Sequence, residues 1–442
     1  MPKLIHLNLF VHGRGHHEAG WRHPGATRLA LTDFAYYREL AAKAEAGRLD
    51  SIFFADALAL TGGEEHVATG GLEPLTALAA LSQATTRIGL IATASTTYSA
   101  PFNLARQFAS LDHLSRGRIG WNIVTSWSGA AAPNFGLDRA PDHAERYARA
   151  HEFVEAVTGL WDTWADDAII DDAAAGRFLD AARVAPLDYR GDFHRVAGPL
   201  NLPRPPQGWP VLVQAGSSDA GRAFAARHAE AVFTAHLTRE SAIAFYREIK
   251  DAAAAAGRPR ESLIVLPGIS AAIGATDAQG AALLEELNDL TDTEVGLRRL
   301  SNRFGGHDFS ALALDTPLSV DDFPDPDSVQ ASRSRSAAII ELVARERPTL
   351  RALLRRYAGA RGHFTLTGSP ERIADTIADW VEHGAADGFN LMPPVLPAQL
   401  DLFVDHVVPL LQRRGLFRRE YEADTLRGHY GLARPANRRF PQ

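Results

Sequence analysis

Eight short apolar runs recur along the chain, and most are followed by a stretch with helical periodicity. The runs are 4–11, Ser51–Asp56, Ile88–Ser95, 117–127, Val211–Ala215, Ala231–Ala235, Leu263–Ser270 and Phe389–Met392. Runs of this length, rich in Val, Ile and aromatic residues and separated by helices, read as βα units with a parallel sheet. Helices are expected from about Asp33 (a side-chain N-cap), over 73–84, from Pro101 to 114, over Asp142–Trp161, after Ala235 to about Ala256, and over 370–383 and 398–414. Eight strands in sequence order make the fold class α/β, with a closed (β/α)8 TIM barrel the economical solution and an open doubly wound sheet the alternative. The whole of 1–442 is expected to be one domain with two insertions, about 165–209 and 277–369. The first holds the turn Gly191-Asp192 and a Pro-rich loop. The second, placed before strand 8, holds the acidic, Pro-containing run Asp315–Asp327, so exposed chain is expected there, with part of 300–335 serving as a lid. The Arg-rich tail 417–442 is expected along the surface or against a neighbouring subunit.

The stretch Gly117-Arg118-Ile119-Gly120-Trp121-Asn122-Ile123-Val124-Thr125-Ser126-Trp127 is an apolar strand that ends in polar groups. In a barrel such a tip lies at the C-terminal mouth, where sites are built, although its polar groups could equally satisfy neighbouring strands. Thr93 and Ser95 end strand 3 two residues apart and so share a face. Asp56 ends strand 2, as either a loop cap or a ligand contact. The loop Gly216-Ser217-Ser218-Asp219-Ala220-Gly221 joins an apolar strand to a helix. Its backbone N–H groups and two hydroxyls suit a phosphate monoester, and also suit an ordinary βα turn capped by Ser. It is not a P-loop, because Arg222 and Ala223 stand where Lys and Ser/Thr belong. His143 and Tyr147 lie four apart on one helix face, as a solvated pair or as ligand contacts. His17-Glu18 lacks the second His of a zinc-protease helix. The His12, His16, His17, His23 loop offers only Glu18 as a carboxylate, so no metal site is expected. The absence of a Gly-x-Ser-x-Gly elbow disfavours a Ser hydrolase.

Net charge is −7, with no basic run, which speaks against nucleic acid or an anionic membrane as partner. The chain has no Cys, so disulfides, thiolate zinc sites and thiol nucleophiles are excluded. No run of about 18 apolar residues suggests a transmembrane helix, and the first strand, broken by His6 and Asn8, does not read as a signal peptide. A cytoplasmic setting is expected.

The segment Ser115–Ser126, with its Gly-Trp-Asn-Ile-Val-Thr-Ser string, resembles the signature of the nitrilotriacetate, pristinamycin IIA and dibenzothiophene-sulfone monooxygenases. These form a branch of the bacterial luciferase-like flavin monooxygenases. Trp21-Arg22-His23-Pro24, Gln214–Ser218, Asp387–Met392 and Leu411–Arg418 resemble it too. The resemblance implies a two-component enzyme. It would take reduced FMN from a separate NAD(P)H:flavin oxidoreductase, add O2 at the flavin C4a to give a peroxyflavin, and oxygenate a small organic substrate. It also implies the roles of particular residues. Asp56, Thr93, Asn122 and Thr125 would border and orient the ring, Ser95 would share that face, His143 and Tyr147 would touch FMN, and Ser217 and Ser218 would hold the phosphate. Trp21 and the His-rich loop would line the substrate pocket, while His17 and His307 are the candidates for proton handling. A homodimer or homotetramer is implied. An F420-dependent oxidoreductase and a flavin-binding protein without turnover are the alternatives.

Overall fold

The computed structural model describes residues 4–60, 64–126, 128–216, 218–325, 333–360 and 362–441. Eight parallel strands close into a barrel: β1 (His6–Val11), β2 (Ser51–Phe54), β3 (Gly89–Ser95), β4 (Ile119–Val124), β5 (Val211–Gln214), β6 (Ala231–Thr234), β7 (Ile264–Ile273) and β8 (Gly388–Leu391). Each pairs with the next in sequence, and β8 returns to β1 with Phe389 opposite Leu7, so no edge remains in the ring. This is the TIM barrel expected from the alternation of runs.

The two-residue period of each strand divides its side chains between two cores. Leu90, Ala92, Ile119, Trp121 and Leu212 face the outer helices. Ile91, Val211, Val213 and Phe233 fill the barrel interior. The same alternation places Trp121 outward, against Phe108, Phe153 and Trp161. Its neighbour Asn122 then falls on the interior face beside Thr93.

Four helices matter for the site: α1 (His143–Trp161), α2 (Asp219–His228), α3 (Arg239–Ala255) and, within the second insertion, α4 (Arg333–Glu346). The first insertion forms two short antiparallel hairpins, Ile169–Asp172 with Arg177–Leu179 and Tyr189–Arg190 with Arg195–Val196. The second keeps residues 315–325 largely exposed, as its composition suggested, apart from Leu318 and Phe323. It folds around its own apolar cluster, in which the rings of Phe304, Phe309 and Phe323 lie 5.1–5.7 Å apart. Part of the expected lid, 326–332, lies outside the described residues. The sequence pattern also missed a strand, Phe364–Gly368, which pairs with the far half of β7; β7 therefore runs three residues beyond its expected end.

The tail corrects a second expectation in part. Much of 419–441 lies on the surface as expected, but Phe417, Arg418, Leu426, Arg427, His429 and Tyr430 turn inward and stopper the N-terminal end of the barrel. Leu426 packs where a Cβ at Gly89 would come within 2.4 Å and one at Gly120 within 3.1 Å, so both strands need glycine there. Tyr430 Oη donates to Asn8 Oδ1 at 2.8 Å inside the barrel, and Arg418 pairs with the fully buried Asp50. Among the described residues, no helix is long and apolar enough to cross a membrane.

Candidate active site

The C-terminal ends of the strands open into a cavity of about 1340 Å³. Its wall is made by the tips of β2 to β6, the start of α1, the β5–α2 loop and, across the opening, α4 of the second insertion. Asp56, Thr93, Ser95, Thr125, His143, Tyr147 and Ser218 all line it. Asn122 sits directly behind Thr93. Ser217 lies outside the described residues.

Hydrogen bonds lock the strand tips together. Asn122 Nδ2 donates to Thr93 Oγ1 at 2.8 Å, and the Thr93 hydroxyl donates to the Phe54 carbonyl at 2.8 Å. This chain fixes the Asn122 carboxamide, yet its buried Oδ1 has no donor among the described residues. Gln214 Oε1, at the tip of β5, is likewise buried without a donor. Two buried acceptors left unsatisfied, one on the cavity wall and one directly behind Thr93, cost stability unless something else supplies the donors. Ser126 adopts a left-handed φ of +49°, uncommon for a residue with a Cβ, and its hydroxyl donates to Ser95 Oγ at 2.8 Å. Asp56 accepts from Ala57 N at 2.9 Å; partial desolvation among the loops and the charge of Glu73 push its carboxyl above the usual range.

The β5–α2 loop forms a cradle at a helix N-terminus. Ser218 is the N-cap, and its hydroxyl accepts from Gly221 N at 3.2 Å. Tyr147 reaches in from α1: a Cβ at Gly216 would lie 3.2 Å from its hydroxyl, and one at Gly221 would lie 3.0 Å from it. Glycine at both positions admits the phenol. The ring of His143 lies 5.0 Å from that of Tyr147.

Sequence reasoning missed Arg146, between them. Its guanidinium is buried at the cavity wall, and burial lowers its pKa. Nη1 donates to the Pro141 carbonyl at 2.9 Å, Nε has no partner, and no carboxylate of the described residues pairs with it. A buried cation without a counter-ion is costly, which marks a place for an anion. On a helix face this residue reads as an ordinary surface arginine, and nothing in its spacing signals otherwise. His236 was missed as well. It follows β6 on the cavity wall, bonded to Thr234 Oγ1 at 2.9 Å and Ser241 Oγ at 3.2 Å, and desolvation pulls its pKa down to about 4.

The structure does not bring His17 or His307 to the cavity wall. His17 is buried behind it, where Nδ1 accepts from Ala19 N at 3.2 Å and Nε2 meets Asn288 Oδ1 at 3.3 Å; burial holds its pKa down near 4. His307 packs edge-on against Phe309, 4.7 Å away, in the core of the second insertion. Trp21 donates to the His66 carbonyl at 3.0 Å and is not a wall residue either.

The profile of the luciferase-like monooxygenases matches residues 8–387. The chain belongs to the luciferase-like monooxygenase family. Relatives extend over nearly the full length. The chain is 48% identical to N-acetyl-S-(2-succino)cysteine monooxygenase of Bacillus subtilis strain 168, covering 99% of this chain and 98% of that one. It is 44% identical to nitrilotriacetate monooxygenase component A of Aminobacter aminovorans, covering 98% of each. Among solved structures, EDTA monooxygenase from Chelativorans sp. BNC1 superimposes with a TM-score of 0.79 at 36% identity, covering 98% of this chain and 99% of that one. Members named as monooxygenases at this similarity make the luciferase-like barrel described here an oxidoreductase scaffold.

Proposed function

We propose that the chain is the oxygenase component of a two-component flavin monooxygenase. It would receive reduced FMN from a separate NAD(P)H:flavin oxidoreductase and use O2 to oxygenate a small organic substrate. The observation that carries this reading is the pairing, in one cavity, of donor-hungry strand tips with an anion cradle. A flavin mononucleotide supplies both complements: ring N–H and ribityl hydroxyl donors at one end, a phosphate at the other. Gln214 Oε1 would accept from it, and Asn122 would hold Thr93 at the cavity wall beside it. Ser218, the α2 N-terminus, Tyr147 and Arg146 would take the phosphate.

When bound, reduced flavin supplies two electrons with which one oxygen atom of O2 enters the substrate and the other leaves as water. The chain's own residues bind, orient and exclude water. Thr93, held by the Phe54 carbonyl, fixes Asn122 in one orientation before any ligand arrives, so little ordering remains to be done on binding. The stacked rings of Phe233 and His363, 5.0 Å apart, line the same cavity. With the second insertion across the opening, they would keep bulk water from the reacting atoms.

The test is an anaerobic titration with reduced FMN, followed by ¹⁸O2 and a substrate panel read by mass spectrometry. The panel should include N-acetyl-S-(2-succino)cysteine and nitrilotriacetate, the compounds named for two relatives. Saturable binding and a product carrying one ¹⁸O support the reading. Absence of saturable binding, or turnover without ¹⁸O in any product, sinks it.

A further inference from the structure

The two helices that form the phosphate cradle are joined by a contact that the proposed chemistry does not use. One helical turn below Tyr147 on α1, His151 Nδ1 lies 2.8 Å from His228 Nε2 at the end of α2. Phe224 of α2, fully buried, packs on both imidazoles, with ring centres 5.0 and 4.9 Å away, and on Tyr147 at 6.0 Å. This imidazole pair therefore sets the distance between α1 and α2, and through Phe224 it seats Tyr147 against Gly216 and Gly221.

Resting on the reading of that loop as a phosphate cradle, we propose that His151 and His228 are positioning residues forming a proton-sensitive clasp, which holds the cradle shut near neutral pH and loosens it in acid. An imidazole–imidazole hydrogen bond needs one N–H and one bare nitrogen. A single added proton can be shared between the rings. A second leaves two donors facing each other at 2.8 Å and breaks the contact. The surroundings oppose charge on the pair. Arg227 of α2 and Arg258 of the turn after α3 face it, and among the described residues Glu155 of α1 is the acid that acts on it. Glu155 is already engaged, by Arg227 at 2.7 Å and by the Tyr189 hydroxyl at 3.1 Å. In keeping with this, burial and the neighbouring positive charge lower the pKa of both rings, His228 to about 3.

The experiment compares reduced-FMN affinity, by anaerobic equilibrium dialysis from about pH 8 to about pH 3, in the wild-type chain and in H151N/H228Q. Asn and Gln place amide groups where the bonded ring nitrogens lie, but do not titrate. Titration of the ligand is common to both proteins and cancels. From about pH 8 to about pH 5 the ratio of the two affinities should hold constant, and below about pH 4 the wild type should fall away from the variant, by about twofold at about pH 3, where His228 is half protonated. A second variant, R227Q, changes an exposed residue and removes a charge that opposes protonation. It should move the acid loss of affinity to higher pH by about half a unit. Parallel pH profiles for the wild type and H151N/H228Q, or an R227Q profile that does not move, overturn the clasp and leave the cradle standing. No binding of reduced FMN by the wild type at any pH overturns the cradle, and the clasp with it.

Discussion

The two ends of the barrel use their polar side chains in different ways. At the N-terminal end the buried charges are matched. Asp50 accepts from His6 Nδ1 at 3.1 Å, from Leu7 N at 2.7 Å and from Arg418. Asp387 pairs with Lys250 at 2.8 Å, and Glu230 accepts from Arg427 Nη2 at 2.9 Å. Burial alone would raise the Asp50 pKa, but Arg418 and His6 hold it below the usual carboxylate range. At the C-terminal end Asn122 Oδ1, Gln214 Oε1 and Arg146 Nε are buried without partners. The carboxylates of one end are paired within the chain and covered by the tail, although Arg427 Nε and His429 Nδ1 there also lack partners among the described residues; at the other end Gln214 and Arg146 line an open cavity. Polar burial alone therefore does not locate the site. A buried cation left without an ion-pair partner among the described residues at a cavity wall, Arg146, does.

The difference can be broken at either end. The largest effect is expected at the closed end: Arg418→Met strands the Asp50 carboxylate and should cost about 3–5 kcal/mol in urea denaturation. Reduced-FMN affinity of the folded protein should stay within about twofold, since distant sites act independently. A large affinity loss would show that the two ends are coupled. At the open end the signs reverse. Arg146→Met removes a buried cation that has no counter-ion, so stability should change by less than about 1 kcal/mol, while reduced-FMN affinity falls about 100-fold, or about 2.7 kcal/mol.

Acid cuts across both ends. His17 has a folded pKa near 4, below its unfolded value, so it disfavours the folded state increasingly as pH falls from about 6.5. Full stability is present above that value, and the loss approaches about 2–3 kcal/mol near pH 4. H17Q should flatten the stability profile in that window, and an unchanged profile would place the acid-sensitive groups elsewhere. The smallest effect is expected for Ser218→Ala. Loss of the N-cap should cost about 1 kcal/mol of stability, with a drop of about tenfold in affinity for reduced FMN.

What could be read beforehand follows the range of the interactions involved. The barrel was legible because each strand announces itself within a few residues, and Asp33, Asp142 and Ser218 cap helices by bonds to N–H groups two or three positions on. Thr93, Ser95 and Asn122 were legible because strand alternation fixes their face. Arg146 was hidden because its isolation depends on what the rest of the fold fails to place beside it. The tail misled through composition: its arginines read as surface charge, yet Arg418, Arg427 and Arg438 meet Asp50, Glu230 and Asp162 from distant parts of the chain. Strand Phe364–Gly368 escaped because it pairs only with the overhang of β7, beyond the ring. The histidines chosen for proton handling failed to reach the wall for a related reason, since titration near neutrality says nothing about position.

The most direct test compares reduced FMN with reduced riboflavin, which lacks only the phosphate, in the wild type and in R146M/Y147F. FMN is expected to bind the wild type about 100-fold more tightly, with the double variant erasing the difference. Equal affinities in the wild type, or a preference for FMN that survives the double variant, would contradict the assignment of the β5–α2 loop and α1 as the phosphate cradle.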